Sequence, residues 1–198
     1  MSTDNHADYL KLYDMESYLF ETVNERFHRE GNLSAFDFFC IVIWKANRAK
    51  SRIAQWLLNH KEGGADLEAA VRKLTGQIAE QASPKERLRV LIDEWGFLLP
   101  MASAILTVCY PDDFTVYDYR VRDELECRDL SNLTFKSLWP EYEEFRLKVT
   151  EITPADLSLR DKDRFLSGKS FHEQLTSDIA NAFGGPMSKG KDLGNFGG

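Results

Sequence analysis

Apolar residues recur at three- and four-residue spacings along nearly all of this 198-residue chain, and no stretch shows a βαβ alternation. That periodicity confines the chain to helix-on-helix packing, since a helical stripe with no sheet to cover it must bury against other helices. The expected fold is all-α: a compact two-lobed helical bundle containing a helix–hairpin–helix-like element near 88–109. One domain is expected over residues 1–183, followed by a flexible Gly-rich tail over 184–198. Tyr9, Leu10, Tyr13, Leu19 and Phe27 mark a first helix from Ala7 to Glu30, stopped at Gly31-Asn32. Ser34 stands three residues before Asp37 and opens the almost wholly apolar run Ala35 to Trp44, the pattern of a central helix covered by its neighbours. Ser83-Pro84 starts a helix that Gly96 stops, and FLLPMASAILTVCYP reads as a turn followed by a buried helix. Pro140 is expected in the first turn of a later helix, and a break near Gly168 is expected to separate the last two.

Charge narrows the partners more than the fold. With 25 Lys+Arg against 32 Asp+Glu, the formal net charge is −7. That is the wrong sign for a protein that coats nucleic acid by bulk electrostatics. The basic residues are not evenly spread, however. The run from Trp44 to Arg52 holds Lys45, Arg48, Lys50 and Arg52 with no acid. Lys45, Arg48 and Arg52 can share one helical face, either to contact the phosphates of one strand or as a solvated surface.

Cys40, Cys109 and Cys127 form no CxxC pair, and the four histidines are scattered. No metal site and no cofactor is expected, and free thiols suit a reducing, cytoplasmic location. The longest apolar stretches are about half the length of a bilayer-spanning helix, so no membrane association is expected. The opening MSTDNHADY has neither the basic nor the apolar region of a signal peptide.

Two segments carry chemistry. In Trp95-Gly96-Phe97-Leu98-Leu99-Pro100-Met101 a helix ends, a glycine turn follows and a small-residue helix begins. Such a turn can direct backbone N–H groups at a phosphate, or it can simply join two helices. In Thr115-Val116-Tyr117-Asp118-Tyr119-Arg120, Asp118 falls at the first turn of a helix. There a carboxylate is either an N-cap or a charge held ready for chemistry.

Together these segments resemble the helix–hairpin–helix base-excision DNA glycosylase superfamily, the endonuclease III-like enzymes. The family pattern is L-P-G-[VI]-G-x-K-T-A, an apolar helix, then V-D-x-[HR]-[VI]. Here Glu94 to Ala102 and Val116 to Val121 occupy those places. Pro100 precedes Asp118 by 18 positions, the family's lysine–aspartate separation. Three departures stand out: the lyase lysine falls on Pro100, the second hairpin glycine on Leu98, and the preceding Leu-Pro on Glu94-Trp95. A proline has no amine, so no Schiff-base lyase is expected through that position.

The resemblance implies a monofunctional DNA glycosylase acting on double-stranded DNA with a damaged or modified base. Asp118 would stabilise the developing sugar cation and assist water attack on the flipped nucleotide. It further implies Lys45, Arg48, Arg52 and Gly96 as nucleic-acid contacts, and Trp44, Tyr117 and Tyr119 as the base pocket. The alternative is a non-catalytic protein of the same architecture that binds nucleic acid or a protein partner. An unrelated helical scaffold is the third.

Overall fold

The structure is a computed structural model and describes residues 4–64 and 66–183. The Gly-rich stretch 184–198 lies outside the described residues. Every regular element among those described is helical, as the periodicity requires.

The expected first helix is present but interrupted. Helix α1 (Asp4–Tyr13) meets the single turn α2 (Met15–Ser17) at Asp14, whose carboxylate accepts from the Ser17 N–H and hydroxyl at 3.3 and 2.8 Å. A side chain competing in this way for backbone donors restarts the helix. A widened, π-type stretch (Tyr18–Val23) then leads into α3 (Asn24–Glu30), closed by Gly31 in the left-handed conformation. Helix α4 (Ala35–Ala46) begins as expected, with the Asp37 N–H donating to Ser34 Oγ at 3.1 Å. Asp37 itself is fully buried, and it accepts from Arg26 at 2.7 Å and from the Tyr18 hydroxyl at 2.6 Å.

The basic run is not one helix. At Ala46 the chain turns extended (φ −161°), and a 3-10 turn (Asn47–Ala49) intervenes before α5 (Lys50–Asn59). Lys45 is thereby separated from Arg48 and Arg52, which corrects the shared face expected from their spacing. Helices α6 (Leu67–Ala79) and α7 (Pro84–Arg89) are capped by Asp66 and Ser83. A second π-type stretch (Val90–Glu94) carries α7 to the turn at Gly96. Helix α8 (Leu99–Cys109) follows; apart from Pro100 it is buried throughout, and it packs on α3, α4 and α7.

Helix α9 (Tyr119–Glu124) is short, and α10 (Phe135–Glu151) and α11 (Leu159–Ala180) complete the bundle. Two expectations are corrected here. Pro140 sits inside α10 rather than in its first turn; it and Lys136, whose carbonyl loses a donor, both face solvent. Helix α11 runs unbroken through Gly168, since one glycine costs a helix only about 1 kcal/mol. Buried Lys162 joins the two helices: its ammonium donates to Thr150 O, Pro154 O and Thr153 Oγ1 at 3.2, 2.7 and 3.2 Å, closing the C-terminal end of α10. The buried side chains form one cluster reaching from Tyr18 to Leu166.

Candidate functional site

Asp118 is placed by a segment that has no helix or strand of its own. Between α8 and α9 the chain has no regular secondary structure from Thr115 to Tyr117, and several of its backbone groups pair with side chains instead. The Tyr142 hydroxyl accepts from Thr115 N–H at 3.2 Å and donates to Thr115 O at 2.6 Å. Ser103 Oγ accepts from Tyr117 N–H at 2.9 Å, and Asp163 Oδ2 from Val116 N–H at 3.4 Å. Buried backbone must be paired, and these three side chains hold the segment against α8, α10 and α11. On α8 the contact is made by Ser103, a small residue against which this segment lies.

At the end of the segment Asp118 caps α9, accepting from Arg120 N–H at 2.9 Å. Its other oxygen accepts from Lys45 Nζ at 2.7 Å, with the two side chains 28% and 13% exposed. Burial opposes the charge on Asp118. The Lys45 ammonium and the Arg120 amide outweigh it and hold the carboxyl below its ordinary range. Lys45, which the resemblance implies as a nucleic-acid contact, is the counter-ion of the candidate catalytic acid.

A second buried carboxylate, Asp163, lies within electrostatic reach of both. Arg160 bonds it at 2.5 Å and Glu16 at 2.9 Å, and lays its guanidinium 4.9 Å from the Phe20 ring and 5.1 Å from Trp44. Burial pushes the Asp163 carboxyl up to about 6, against the pull of Arg160 and Lys45. The folded state thus holds this proton more tightly than the unfolded chain. Its contribution to stability is present below the ordinary value of 3.8 and is lost as pH rises through about 6. Relative to Asp163→Asn, the wild type is expected to lose on the order of 2–3 kcal/mol between pH 4 and 7. Denaturant melts of both proteins at several pH values read this, and a constant gap would contradict it.

The turn between α7 and α8 has a positive-φ glycine, as its sequence requires. Gly96 sits at φ +68°, which lets Phe97 N–H return to Leu91 O at 2.8 Å. Trp95 anchors the turn: it is fully buried, its indole donates to Gln77 Oε1 at 2.6 Å, and His60 stacks on it at 4.3 Å. Trp56 crosses over Gly96 and donates to Trp95 O at 2.7 Å. A Cβ at 96 would lie 2.8 Å from the Trp56 ring. Gly96→Ala is therefore expected to cost about 1–3 kcal/mol from backbone strain and the displaced indole, read by thermal melting and by Trp fluorescence.

Three of the amides at the turn are taken up internally. Trp95 N–H donates to Val90 O and Met101 N–H to Leu98 O, both at 3.0 Å, and Phe97 N–H is spent on Leu91 O. Pro100 has no N–H. Beside the turn lies an apolar cavity of about 280 Å³, lined by Lys45, Ala49 and Ile53 on one side and Phe97, Pro100 and Met101 on the other, with Arg52 and Trp56 also in its wall. It lies at the small end of ligand pockets.

A comparison with protein-family models, curated proteins and solved structures finds no match. The assignment of roles therefore rests on geometry. Lys45, Arg52 and Gly96 line the cavity at the turn, and Asp118 is joined to it through Lys45. Arg48 is exposed on the 3-10 turn. Tyr119 follows Asp118, is 37% exposed and has the Arg120 guanidinium 5.4 Å from its ring.

Two expected pocket aromatics are corrected. Tyr117 is 3% exposed, its hydroxyl accepting from Leu130 N–H and its ring against Phe145, so no base can stack on it. Trp44 is edge-on to Phe20 and has Arg160 against its face, a packing role. Asp163, Arg160, Ser103 and Trp56 were missed. Only Trp56, one helical turn from Ile53 at the edge of the apolar face of α5, left a trace in the sequence. Among the described residues no group of three or more metal-ligand side chains converges, and no helix is long and apolar enough to cross a membrane.

Proposed function

We propose that this chain is a monofunctional DNA glycosylase-like protein that hydrolyses the N-glycosidic bond of a damaged or modified base flipped from double-stranded DNA. One observation carries the reading. An ionised Asp118 caps the helix after a glycine-turn helix pair, and a single side chain, Lys45, links it to the cavity at that turn. As the bond breaks, positive charge develops on the sugar, and a fixed carboxylate in a partly buried site stabilises it and orients the attacking water. The base enters the apolar cavity in place of the expected Trp44 and Tyr117. Trp56 and Tyr119, both part-exposed, offer stacking faces worth about 1–3 kcal/mol each when a base lies on them. Arg48 and Arg52 face the strand. The proposal includes a cytoplasmic location, in keeping with three free cysteines.

A second reading has its own support. The amides of Trp95, Phe97 and Met101 are spent internally and Asp118 is already neutralised by Lys45, as suits a non-catalytic member that binds nucleic acid or a protein. The two separate on one assay. Duplexes carrying uracil, 8-oxoguanine, alkylated or hypermodified bases are incubated with the full chain, and free base is measured chromatographically beside gel shifts at rising salt. Release of a base supports the glycosylase. Salt-sensitive binding with no release from any duplex supports the second reading. The absence of both binding and release overturns the glycosylase proposal.

A further inference from the structure

The cavity beside the turn has an apolar wall and one side-chain charge left over. Ile53, Phe97, Pro100 and Met101 line it, and the only side chains in its wall that carry a nitrogen are Lys45, Arg52 and Trp56. Lys45 and Trp56 are already engaged. Lys45 Nζ stands 2.7 Å from Asp118 Oδ2, and the Trp56 indole donates to Trp95 O at 2.7 Å. Arg52 is exposed on the first turn of α5, and among the described residues no carboxylate forms an ion pair with it. It belongs to the acid-free run from Trp44 to Arg52 in a chain whose formal net charge is −7.

From this arrangement we infer that the cavity is a binding site for a small amphipathic carboxylic acid, an aliphatic or aromatic body bearing one carboxylate. The body leaves water for an apolar wall, whereas polar atoms on it would be buried without partners. The head is an anion because the planar guanidinium fork of Arg52 pairs with a planar carboxylate through two parallel hydrogen bonds. One negative charge suffices, since Asp118 already balances Lys45. Size sets the rest. A cavity of about 280 Å³ filled at the density of a protein interior takes roughly 200 Å³ of ligand, about ten to twelve non-hydrogen atoms. The inference goes beyond the glycosylase reading and does not need it. Where both hold, the acid and a flipped base compete for one cavity.

The test titrates the full chain with octanoate, octanol and octylammonium, which share a tail and differ in head charge. Calorimetry reads the affinity, and the methyl NMR signals of the methionines read the place, since Met101 lines the cavity and Met15 does not. Octanoate is expected to shift the Met101 methyl and to bind about fivefold or more tightly than octanol, with octylammonium weaker than both. Arg52→Gln should bring octanoate down to the level of octanol. Lys50→Gln, which changes an exposed lysine bonded to Asn47 Oδ1, should leave it unaltered. The head-group comparison on the wild type needs no variant to fold. Equal binding of acid and alcohol overturns the inference, as does a response that bypasses Met101 or no binding through the millimolar range. If octanoate fails to bind while base release is measured, the glycosylase reading stands and the acid site falls. Octanoate bound at Met101 with base release undiminished supports the acid site and counts against a base entering this cavity.

Discussion

Asp118→Asn is expected to lower base excision by about 10²–10⁴-fold, the usual contribution of a positioned acid–base group. The substitution is informative because it separates the two roles the residue fills. Asparagine caps a helix about as well as aspartate, so the Arg120 N–H keeps its acceptor and α9 keeps its start. The negative charge is what disappears, and with it the stabilisation of the sugar cation. Lys45 then loses its counter-ion, at a cost of about 1–3 kcal/mol in a pair that retains some access to water. Melting temperature measured beside excision keeps the effects apart. Excision that persists undiminished in the folded variant would remove Asp118 from the chemistry.

Trp95→Ala should cost about 3–5 kcal/mol of folding stability, the range for truncating a large, fully buried aromatic. Trp95 is the largest of the fully buried side chains, and it ties α6 to the turn through Gln77 and α5 through the His60 stack. Its loss opens a void behind Gly96 and leaves Gln77 without its donor. Trp95→Phe keeps part of the volume and is expected to fall between alanine and wild type. Urea melts give the size of the effect, and a loss below about 1 kcal/mol would mean the turn collapses onto the space without penalty.

Local features were legible in the sequence because their physics is local. Ser34, Asp66, Ser83 and Asp118 cap helices by reaching backbone N–H groups two or three residues ahead, so neighbouring sequence suffices to locate those starts. The stops at Gly31 and Gly96 follow from the left-handed conformation each adopts. The misreadings have an equally physical origin. Pro140 and Gly168 read locally as boundary signals, yet Pro140 sits on the solvent face inside α10, and one glycine costs too little to break α11. The basic run was read as one face because periodicity carries no sign of the turn at Ala46.

The candidate site divides in the same way. The apolar periodicity and its local breaks determined an all-α chain, the helix pair joined at Gly96, and a carboxylate at the start of the helix that follows. Which groups meet that carboxylate was decided by tertiary structure alone. Lys45 lies 73 positions from Asp118, and Asp163 holds Val116 from 47 positions away. The physical reason is the irregular segment from Thr115 to Tyr117. With no neighbouring strand to pair with, its backbone groups are satisfied by side chains from three separate helices, and no spacing along the chain encodes which side chains those are.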